Sequence, residues 1–186
     1  EITDGMPISQ VYKIGQSATV RDKVLNGYQD NGTSTFMGDD WEFTRGGDGM
    51  ECAVDHEDAA YSYATVYYGS IDRYYNNNYQ QNAASNGNYG INESGAWITP
   101  FILAEHDSKI MFVGYKNVWR CKDVKKSGFL QWEKISDGLA GNNSTNIRVL
   151  EHSPADIDLL YMSRYDDRMF RSDNINDGSP VWYDLT

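Results

Sequence analysis

Two Gly-flanked polar segments near the start of the chain carry side chains that could bind a ligand. Gln29-Asp30-Asn31 precedes Gly32, and Asp48 lies within Gly46-Gly47-Asp48-Gly49. Their carboxylate and amide groups suit a cation or the hydroxyl groups of a sugar. The same residue types are typical of turns, because Asp and Asn side chains accept hydrogen bonds from backbone N–H groups in bends. Turn formation alone would explain these residues, and the binding interpretation stays open beside it.

A later acidic pair extends this candidate site. The candidate ligand-binding residues are Gln29, Asp30, Asn31, Asp48, Asp166 and Asp167. An inverting glycoside hydrolase needs two carboxyl groups about 6.5–9.5 Å apart across a cleft. Asp30 or Asp48 opposite Asp166 or Asp167 would meet that need, but acidic residues are so numerous that the pairing is not specific. We therefore assign no catalytic residue from the sequence.

Three carboxylate-histidine pairs recur along the chain, at Asp55-His56, Glu105-His106 and Glu151-His152. A His beside an acid is able to ligate a metal or transfer a proton. These pairs recur at the same place in a repeated unit, so we interpret them as packing residues on the side opposite the candidate site. No loop has the full ligand spacing of a calcium site. We predict no metal ligand and no cofactor, with calcium at an acidic turn as the alternative.

A repeated unit of about fifty residues positions all of these side chains. Ile110–Asp123 followed by Trp132 aligns almost without gaps with Leu160–Asp173 followed by Trp182. Each copy has an apolar run, a polar turn, an aromatic-Arg pair and a polar loop before the Trp. A weaker copy covers Thr65–Arg73. Short-strand repeats of this length are typical of β-propellers.

The alternation of apolar and polar residues predicts an all-β fold, a β-propeller segment of four four-stranded antiparallel blades. Residues 1–186 form one propeller portion, with blades at about 8–49, 50–99, 100–138 and 147–186. We expect Trp41, Trp132 and Trp182 at equivalent outer-strand positions. The fourth strand of the second blade is placed near Trp97, after a long inserted loop at Asn76–Ser94.

The cysteines and the open architecture lead to two further expectations. Cys52 and Cys121 fall on strands of different blades, so we predict that both are unpaired. Four blades of this type rarely close a ring, so we expect the chain to contact the remaining blades of a larger propeller or another subunit. The chain also lacks a signal peptide and begins with Glu1, which we interpret as a mature or excised form.

Composition limits the classes of partner. The formal net charge of −11 and the pI near 4.6 argue against nucleic acids and anionic membranes, whose phosphates attract basic proteins. No apolar run approaches the roughly 20 residues of a membrane helix, so we expect no membrane insertion. Aromatic residues make up 13% of the chain, a composition that suits half-buried strands and ligand-facing surfaces.

Several motifs together resemble a known superfamily. Asn26–Thr33, then Trp41, then Arg45–Met50 and Asp55 resemble the G-x-Q-D-N-G-T…W…G-G-D-G…D pattern of secreted bacterial propellers of the BNR/Asp-box, sortilin-like superfamily. Such propellers are common in exported and surface proteins of Bacteroidetes that carry type IX sorting tails. The Asp-box is degenerate, since Cys121 replaces its Ser and Asn174 its Asp. The resemblance implies a propeller and a secreted or cell-surface location.

Function is less constrained than fold, because this superfamily mixes sialidases, xyloglucanases, receptors and proteins of unknown role. A sialidase needs an Arg triad for an anionic sugar. Arg73, Arg120 and Arg171 are repeat-equivalent, which indicates a structural role, and the acidic charge disfavours such a substrate. We favour a non-enzymatic module for adhesion, glycan binding or protein binding. The alternatives are a partial catalytic domain of a glycoside hydrolase, xyloglucanase-like or sialidase-like, and a purely architectural module.

Overall fold

The structure, a computed structural model, describes residues 9 to 186. It is all-β and consists of four antiparallel four-stranded sheets, which confirms the predicted fold class. Within each sheet the strands follow chain order, so consecutive strands pair as hairpins, and we call the sheets blades 1 to 4. The predicted beginnings of the domain at residue 1 and of the first blade at residue 8 lie outside the described residues.

The sixteen strands within the described residues 9–186 divide evenly among the blades. Blade 1 contains β1 (Val11–Gln16), β2 (Lys23–Tyr28), β3 (Gly32–Met37) and β4 (Trp41–Arg45). Blade 2 contains β5 (Cys52–Val54), β6 (Tyr61–Val66), β7 (Ser70–Tyr75) and β8 (Asn78–Ala84). Blade 3 contains β9 (Phe101–Ala104), β10 (Asp107–Gly114), β11 (Val118–Cys121) and β12 (Trp132–Lys134). Blade 4 contains β13 (Ile147–His152), β14 (Leu160–Arg164), β15 (Met169–Ser172) and β16 (Tyr183–Asp184).

A short 3-10 turn, Tyr67–Gly69, interrupts this all-β arrangement between β6 and β7. Within residues 9–186, no helix has the length and apolar character needed to cross a membrane.

The apolar core lies between successive blades. Blades 2 and 3 share one cluster that includes Tyr63 and Met111, and blades 3 and 4 share another that includes Phe112 and Leu160. The strand β11 is buried at all four positions, because blade 3 is covered on both faces. The equivalent strand β15 in blade 4 is buried only at alternate positions, Phe170 and Ser172, since only one of its faces is covered. Burial of apolar surface between blades therefore stabilises the array.

Two of the repeated tryptophans join neighbouring blades. Trp132 begins β12 and donates its indole N–H to the carbonyl oxygen of Ala83 in blade 2, at 2.9 Å. Trp182 directly precedes β16 and donates to Ile135 O at the end of blade 3, also at 2.9 Å. Trp41 likewise begins an outer strand, β4, but it is half exposed. Trp132 and Trp182 therefore make equivalent interblade contacts, as predicted, whereas the prediction is wrong for Trp41, which lies opposite Phe36, one pair further along its hairpin than Trp132 lies opposite Cys121.

The prediction for the fourth strand of blade 2 was wrong. This strand is β8, at Asn78–Ala84, inside the segment predicted as a long loop, and Trp97 lies in the connection between blades 2 and 3. The hairpin turn before β8 is Asn76-Asn77, with φ of 48° and 61°. Asn tolerates this left-handed conformation and so forms tight two-residue hairpins. The strand is polar because it is an outer strand that faces solvent over much of its length.

Both cysteines are free and buried, as predicted. Burial raises the pKa of the Cys52 thiol to about 12 and that of the Cys121 thiol to about 11. We expect neither thiol to react with a disulfide reagent in the native protein at about pH 8, because the reactive thiolate is scarce and inaccessible. Both should react once the protein is unfolded without reductant. Titration with Ellman's reagent before and after denaturation measures this, and rapid native labelling would contradict it.

Candidate functional site

One side of the blades, which we call the loop face, collects all six candidate ligand-binding residues. It carries the turns between second and third strands and the connections from each blade to the next. The turns are residues 29–31, 67–69, 115–117 and 165–168, and the connections are residues 46–51, 85–100 and 135–146. Propellers and related folds bind ligands through such loops held on a rigid scaffold.

Asp30 and Asp48 meet on the loop face of blade 1. The backbone N–H of Asp30 donates to Oδ1 of Asp48 at 2.6 Å, and Asn31 donates its side-chain N–H to Gln29 O at 3.0 Å. Asp30 has a φ of 59°, in the left-handed region where Asp is better tolerated than most residues. Asp48 therefore holds the turn that contains Asp30, and its hydrogen bond gives the acidic bends a structural role.

The glycines of these bends allow the two backbones to touch. A Cβ on Gly32 would collide with Arg45 O, and a Cβ on Gly49 would collide with Gly32 O. Gly32 and Gly47 also have φ of 71° and 88°, which other residues rarely adopt. The Gly-rich sequence that resembles the superfamily pattern is thus explained by close packing of the turn after β2 against the connection after β4.

Asp166 and Asp167 lie in the turn after β14 in blade 4, apart from the blade 1 pair. Asp166 accepts hydrogen bonds from Arg164 Nη2 at 2.8 Å and from the backbone N–H of Asn142 at 3.1 Å. Asp167 has a φ of 62° and completes the turn. No hydrogen bond or ion pair within residues 9–186 links Asp166 or Asp167 with Asp30 or Asp48.

An exposed aromatic cluster formed by Tyr67, Tyr68 and Trp97 lies on the loop face between blades 2 and 3. The rings of Tyr67 and Trp97 are stacked, with centroids 5.3 Å apart and planes 14° apart. Tyr68 meets Trp97 edge to face at 5.6 Å. The three residues remain 42%, 52% and 44% exposed, respectively. Exposed aromatic clusters of this kind on a monomer surface commonly mark binding sites.

The backbone beneath this aromatic cluster is held rigidly. Gly95 N–H donates to Tyr68 O at 3.2 Å, and the buried hydroxyl of Tyr115 donates to Gly69 O at 2.8 Å. Tyr68 has a φ of 64°, a strained value for a Tyr. Such strain persists only where the surrounding structure imposes it, and it is concentrated at functional sites. The cluster is therefore pre-organised.

The aromatic cluster adjoins the Asp48 bend. A Cβ on Gly47 would lie 3.2 Å from the Val66 side chain, and Val66 directly precedes Tyr67. The loop face of blades 1 and 2 thus carries both the aromatic cluster and the carboxylate and amide groups of residues 29–31 and 48. Burial is partial at Asp48 and Gln29, whereas Asp30 and Asn31 are exposed.

Sequence analysis did not identify the aromatic cluster, although one signal was present. A Tyr stands at or just after the end of the second strand in every blade, at Tyr28, Tyr67, Tyr115 and Tyr165. The turn before a third strand is a loop-face position, so this recurrence places a Tyr in that turn in three blades and at the strand end beside it in blade 1. Trp97 gave no comparable signal, because its position depends on how the long connection folds back on blade 2.

The carboxylate-histidine pairs lie at the opposite side, as predicted. His152 Nδ1 accepts the backbone N–H of Glu105 at 3.1 Å, and its Nε2 lies 3.0 Å from Ile157 O. The rings of His106 and His152 have centroids 5.3 Å apart across blades 3 and 4. These contacts are those of packing residues. Within residues 9–186, no three His, Cys, Asp or Glu side chains gather as a metal site requires.

A groove of about 270 Å³ is lined by the first strands of blades 1, 2 and 3, and it holds one carboxyl group of interest. Burial raises the pKa of Glu51, while the ammonium group of Lys13, 3.2 Å away, opposes this rise. Glu51 directly precedes β5, and Glu105 follows β9, so the two acids lie toward opposite ends of their strands.

Comparisons with known proteins do not assign this arrangement to a family. No protein-family model matches the chain, and no curated protein is significantly similar to it. The superfamily resemblance therefore stays a prediction from the motifs, and function has to be argued from the site itself.

The Asp48 hydrogen bond leads to a prediction on stability. We expect Asp48→Ala to lower the free energy of unfolding by about 0.5–2 kcal/mol, because the Asp30 N–H loses its acceptor. The loss should be the same with and without calcium if the role of Asp48 is structural. Thermal melts with calcium or with a chelator test this, with Asp39→Ala in an exposed turn of the opposite side as control. Calcium stabilisation of the wild type that Asp48→Ala abolishes would instead indicate a bound ion.

Proposed function

We propose that this chain is part of a non-enzymatic propeller module that binds a neutral glycan through its loop face. The observation that carries the proposal is the exposed and pre-organised cluster of Tyr67, Tyr68 and Trp97. Aromatic rings bind the apolar faces of sugar rings, and rigid rings lose little conformational entropy on binding. The resemblance to secreted surface propellers supports a secreted or cell-surface location for such a module.

Polar groups on the same loop face favour a sugar over a purely apolar ligand. Asp30 and Asn31 are exposed in the turn after β2, and the Asp48 bend adjoins the aromatic cluster. Carboxylate and amide oxygens accept hydrogen bonds from hydroxyl groups, and amide N–H groups donate to them. The net charge of −11 disfavours anionic polysaccharides, which leaves neutral ones as the ligand class.

The proposal is tested by affinity electrophoresis of the chain through gels that contain single soluble polysaccharides. Neutral β-glucans, mannans and xylans form one set, and polyanionic pectin and heparin form the other. We expect retardation by at least one neutral polysaccharide and by neither polyanion. A chain that runs freely through every neutral gel would overturn glycan binding and would leave a protein ligand as the alternative use of this surface.

Glu51 supports a glycoside hydrolase as the second candidate function. A carboxyl group whose pKa is raised by burial is suited to act as a general acid in glycoside hydrolysis. Hydrolysis also needs a second carboxyl group near the first. Glu105 does not meet this need well, because it lies toward the other end of the groove. Release of reducing sugar from a neutral polysaccharide, abolished by Glu51→Gln, would favour the hydrolase over the binding module.

A further inference from the structure

An Arg on the third strand of one blade bonds a loop of the next blade at two of the blade junctions. Arg73 on β7 donates from Nη1 to Val124 O at 2.5 Å and to Lys126 O at 2.8 Å. Arg120 on β11 donates to Ile175 O and, at 3.1 Å, to Asp177 O. In both cases the acceptors are the third and fifth residues after the third strand of the receiving blade. We call this contact the arginine lock.

The arginine lock occurs where the receiving blade has a long loop between its third and fourth strands. That loop spans ten residues in blades 3 and 4, at 122–131 and 173–182. It spans three residues in blade 1, at 38–40, and two in blade 2, at 76–77. Blade 1, which precedes the short-turn blade 2, has no Arg on β3 and instead uses Arg45 on β4, which donates to Ala64 O and Ser70 O.

Blade 4 has an arginine at the equivalent position, Arg171, but no following blade within residues 9–186 supplies the carbonyl acceptors. Arg171 pairs with Tyr161 on β14, as Arg120 pairs with Phe112 on β10. Within residues 9–186, Arg171 donates to no carbonyl oxygen and contacts Asp173 of its own loop at 2.8 Å. Its side chain is 37% exposed, against 1% for Arg120.

The apolar surface around Arg171 is uncovered in the same way. Val118 and Ile135 in blade 3 are 0% and 6% exposed, because blade 4 packs on them. Their equivalents in blade 4, Met169 and Leu185, are 43% and 45% exposed. Leu185 N–H donates to Met169 O, as Ile135 N–H donates to Val118 O, which establishes the equivalence. This face of blade 4 is thus a copy of a face that blade 3 buries.

We propose that the open face of blade 4 docks a further four-stranded blade with a loop of about ten residues between its third and fourth strands. Carbonyl oxygens of that loop accept the hydrogen bonds of Arg171, and a Trp at the start of its outer strand donates to Leu185 O. Trp182 makes the corresponding bond to Ile135 O. Blade 1 of a second copy does not fit, because its loop at 38–40 is too short to reach Arg171.

The test extends the whole chain by one blade. One version repeats residues 137–186 after Thr186 and so adds a long-loop blade, and the matched control adds residues 46–84, the short-turn blade 2. Arg171→Ala is then compared in both versions and in the original chain by thermal unfolding. In the long-loop version we expect it to lower Tm by roughly 4 °C or more, because buried carbonyl groups lose their donor. In the other two chains Tm should change by less than about 1 °C.

Several results would overturn the proposal. These are an unchanged Tm in the long-loop version, an equal loss of Tm in the short-turn version, or an added long-loop blade that stays unfolded. Sedimentation velocity of the original chain adds an independent check. A dimer that Arg171→Ala dissociates would show that a second copy, and not a long-loop blade, covers this face.

Discussion

Replacement of Arg120 by Ala should lower the free energy of unfolding by about 3 kcal/mol, whereas the same replacement of Arg171 should have no measurable effect. Arg120 is buried, and it donates to two backbone carbonyls of blade 4 and to Glu133 at 2.8 Å. Its removal leaves the carbonyl oxygen of the fully buried Ile175 without this donor, together with the acceptors of two partly buried hydrogen bonds, on Glu133 and Asp177. Arg171 has the same place in its blade but lies at an open face, so its removal leaves no buried group unsatisfied.

Denaturant unfolding and thermal melts of the two variants measure this difference. For a chain of this size, a loss of about 3 kcal/mol corresponds to a fall in Tm of roughly 6–12 °C. Arg120→Lys keeps the charge but not the forked set of donors. Its Tm should therefore lie between those of wild type and Arg120→Ala. Equal effects of the two Ala substitutions would show that the arginine lock does not stabilise the blade junction.

The loss of stability caused by Arg120→Ala should also depend on pH. The hydrogen bond from Arg120 lowers the pKa of Glu133 below its ordinary value of 4.5. A carboxyl group with a lowered pKa in the folded state stabilises that state above its unfolded pKa, and this contribution is lost as the pH falls through the folded pKa. The difference in stability between wild type and Arg120→Ala should therefore narrow as the pH is lowered below about 4.5.

The repeat allowed the fold to be predicted, because it preserves the residues that join blades. Arg120 and Arg171, or Trp132 and Trp182, recur in register since each occupies the same place on a strand and each makes, or is positioned to make, the same contact with a neighbouring blade. Apolar alternation then locates the strands that have one buried face. Both signals arise from residues that pack between blades, because those residues recur at regular positions in the sequence.

The strand β8 escaped prediction because it lacks that packing signal. Its sequence Asn-Tyr-Gln-Gln-Asn-Ala-Ala is polar over most of its length, and only the last two residues are buried. The turn at Asn76-Asn77 was the one local indication of a hairpin. Once the strand was misplaced, Trp97 was assigned to a strand, although it belongs to the connection that follows.

The candidate site was only partly predictable for a related reason. Topology alone places Asp30 and Asp48 on one side, and the structure brings them into direct contact. The stack of Tyr67 on Trp97 joins residues thirty positions apart through a connection without periodicity. Its position is fixed by contacts such as Gly95 N–H with Tyr68 O, which no local sequence pattern encodes.

Replacement of Trp97 by Ala should weaken binding of the neutral polysaccharide by about 30-fold, which corresponds to about 2 kcal/mol. Trp97 contacts both Tyr67 and Tyr68, so its loss removes the largest ring of the aromatic cluster, the stacking partner of Tyr67 and the edge-to-face partner of Tyr68. Trp97→Phe keeps an aromatic face and should weaken binding far less. Isothermal titration calorimetry or affinity electrophoresis with the retarding polysaccharide measures both changes.

Tyr79→Ala is the matched control, because Tyr79 is an exposed aromatic residue of blade 2 that lies on the outer strand β8 and outside the loop face. Its loss should leave the affinity unchanged. Trp97 is 44% exposed, so its replacement should cost little stability, and a native melting curve would show that the fold is intact. If Trp97→Ala and Tyr79→Ala weaken binding equally, or if neither does, the aromatic cluster is not the sugar platform. The ligand would then have to be sought elsewhere on the blades, first in the groove that holds Glu51.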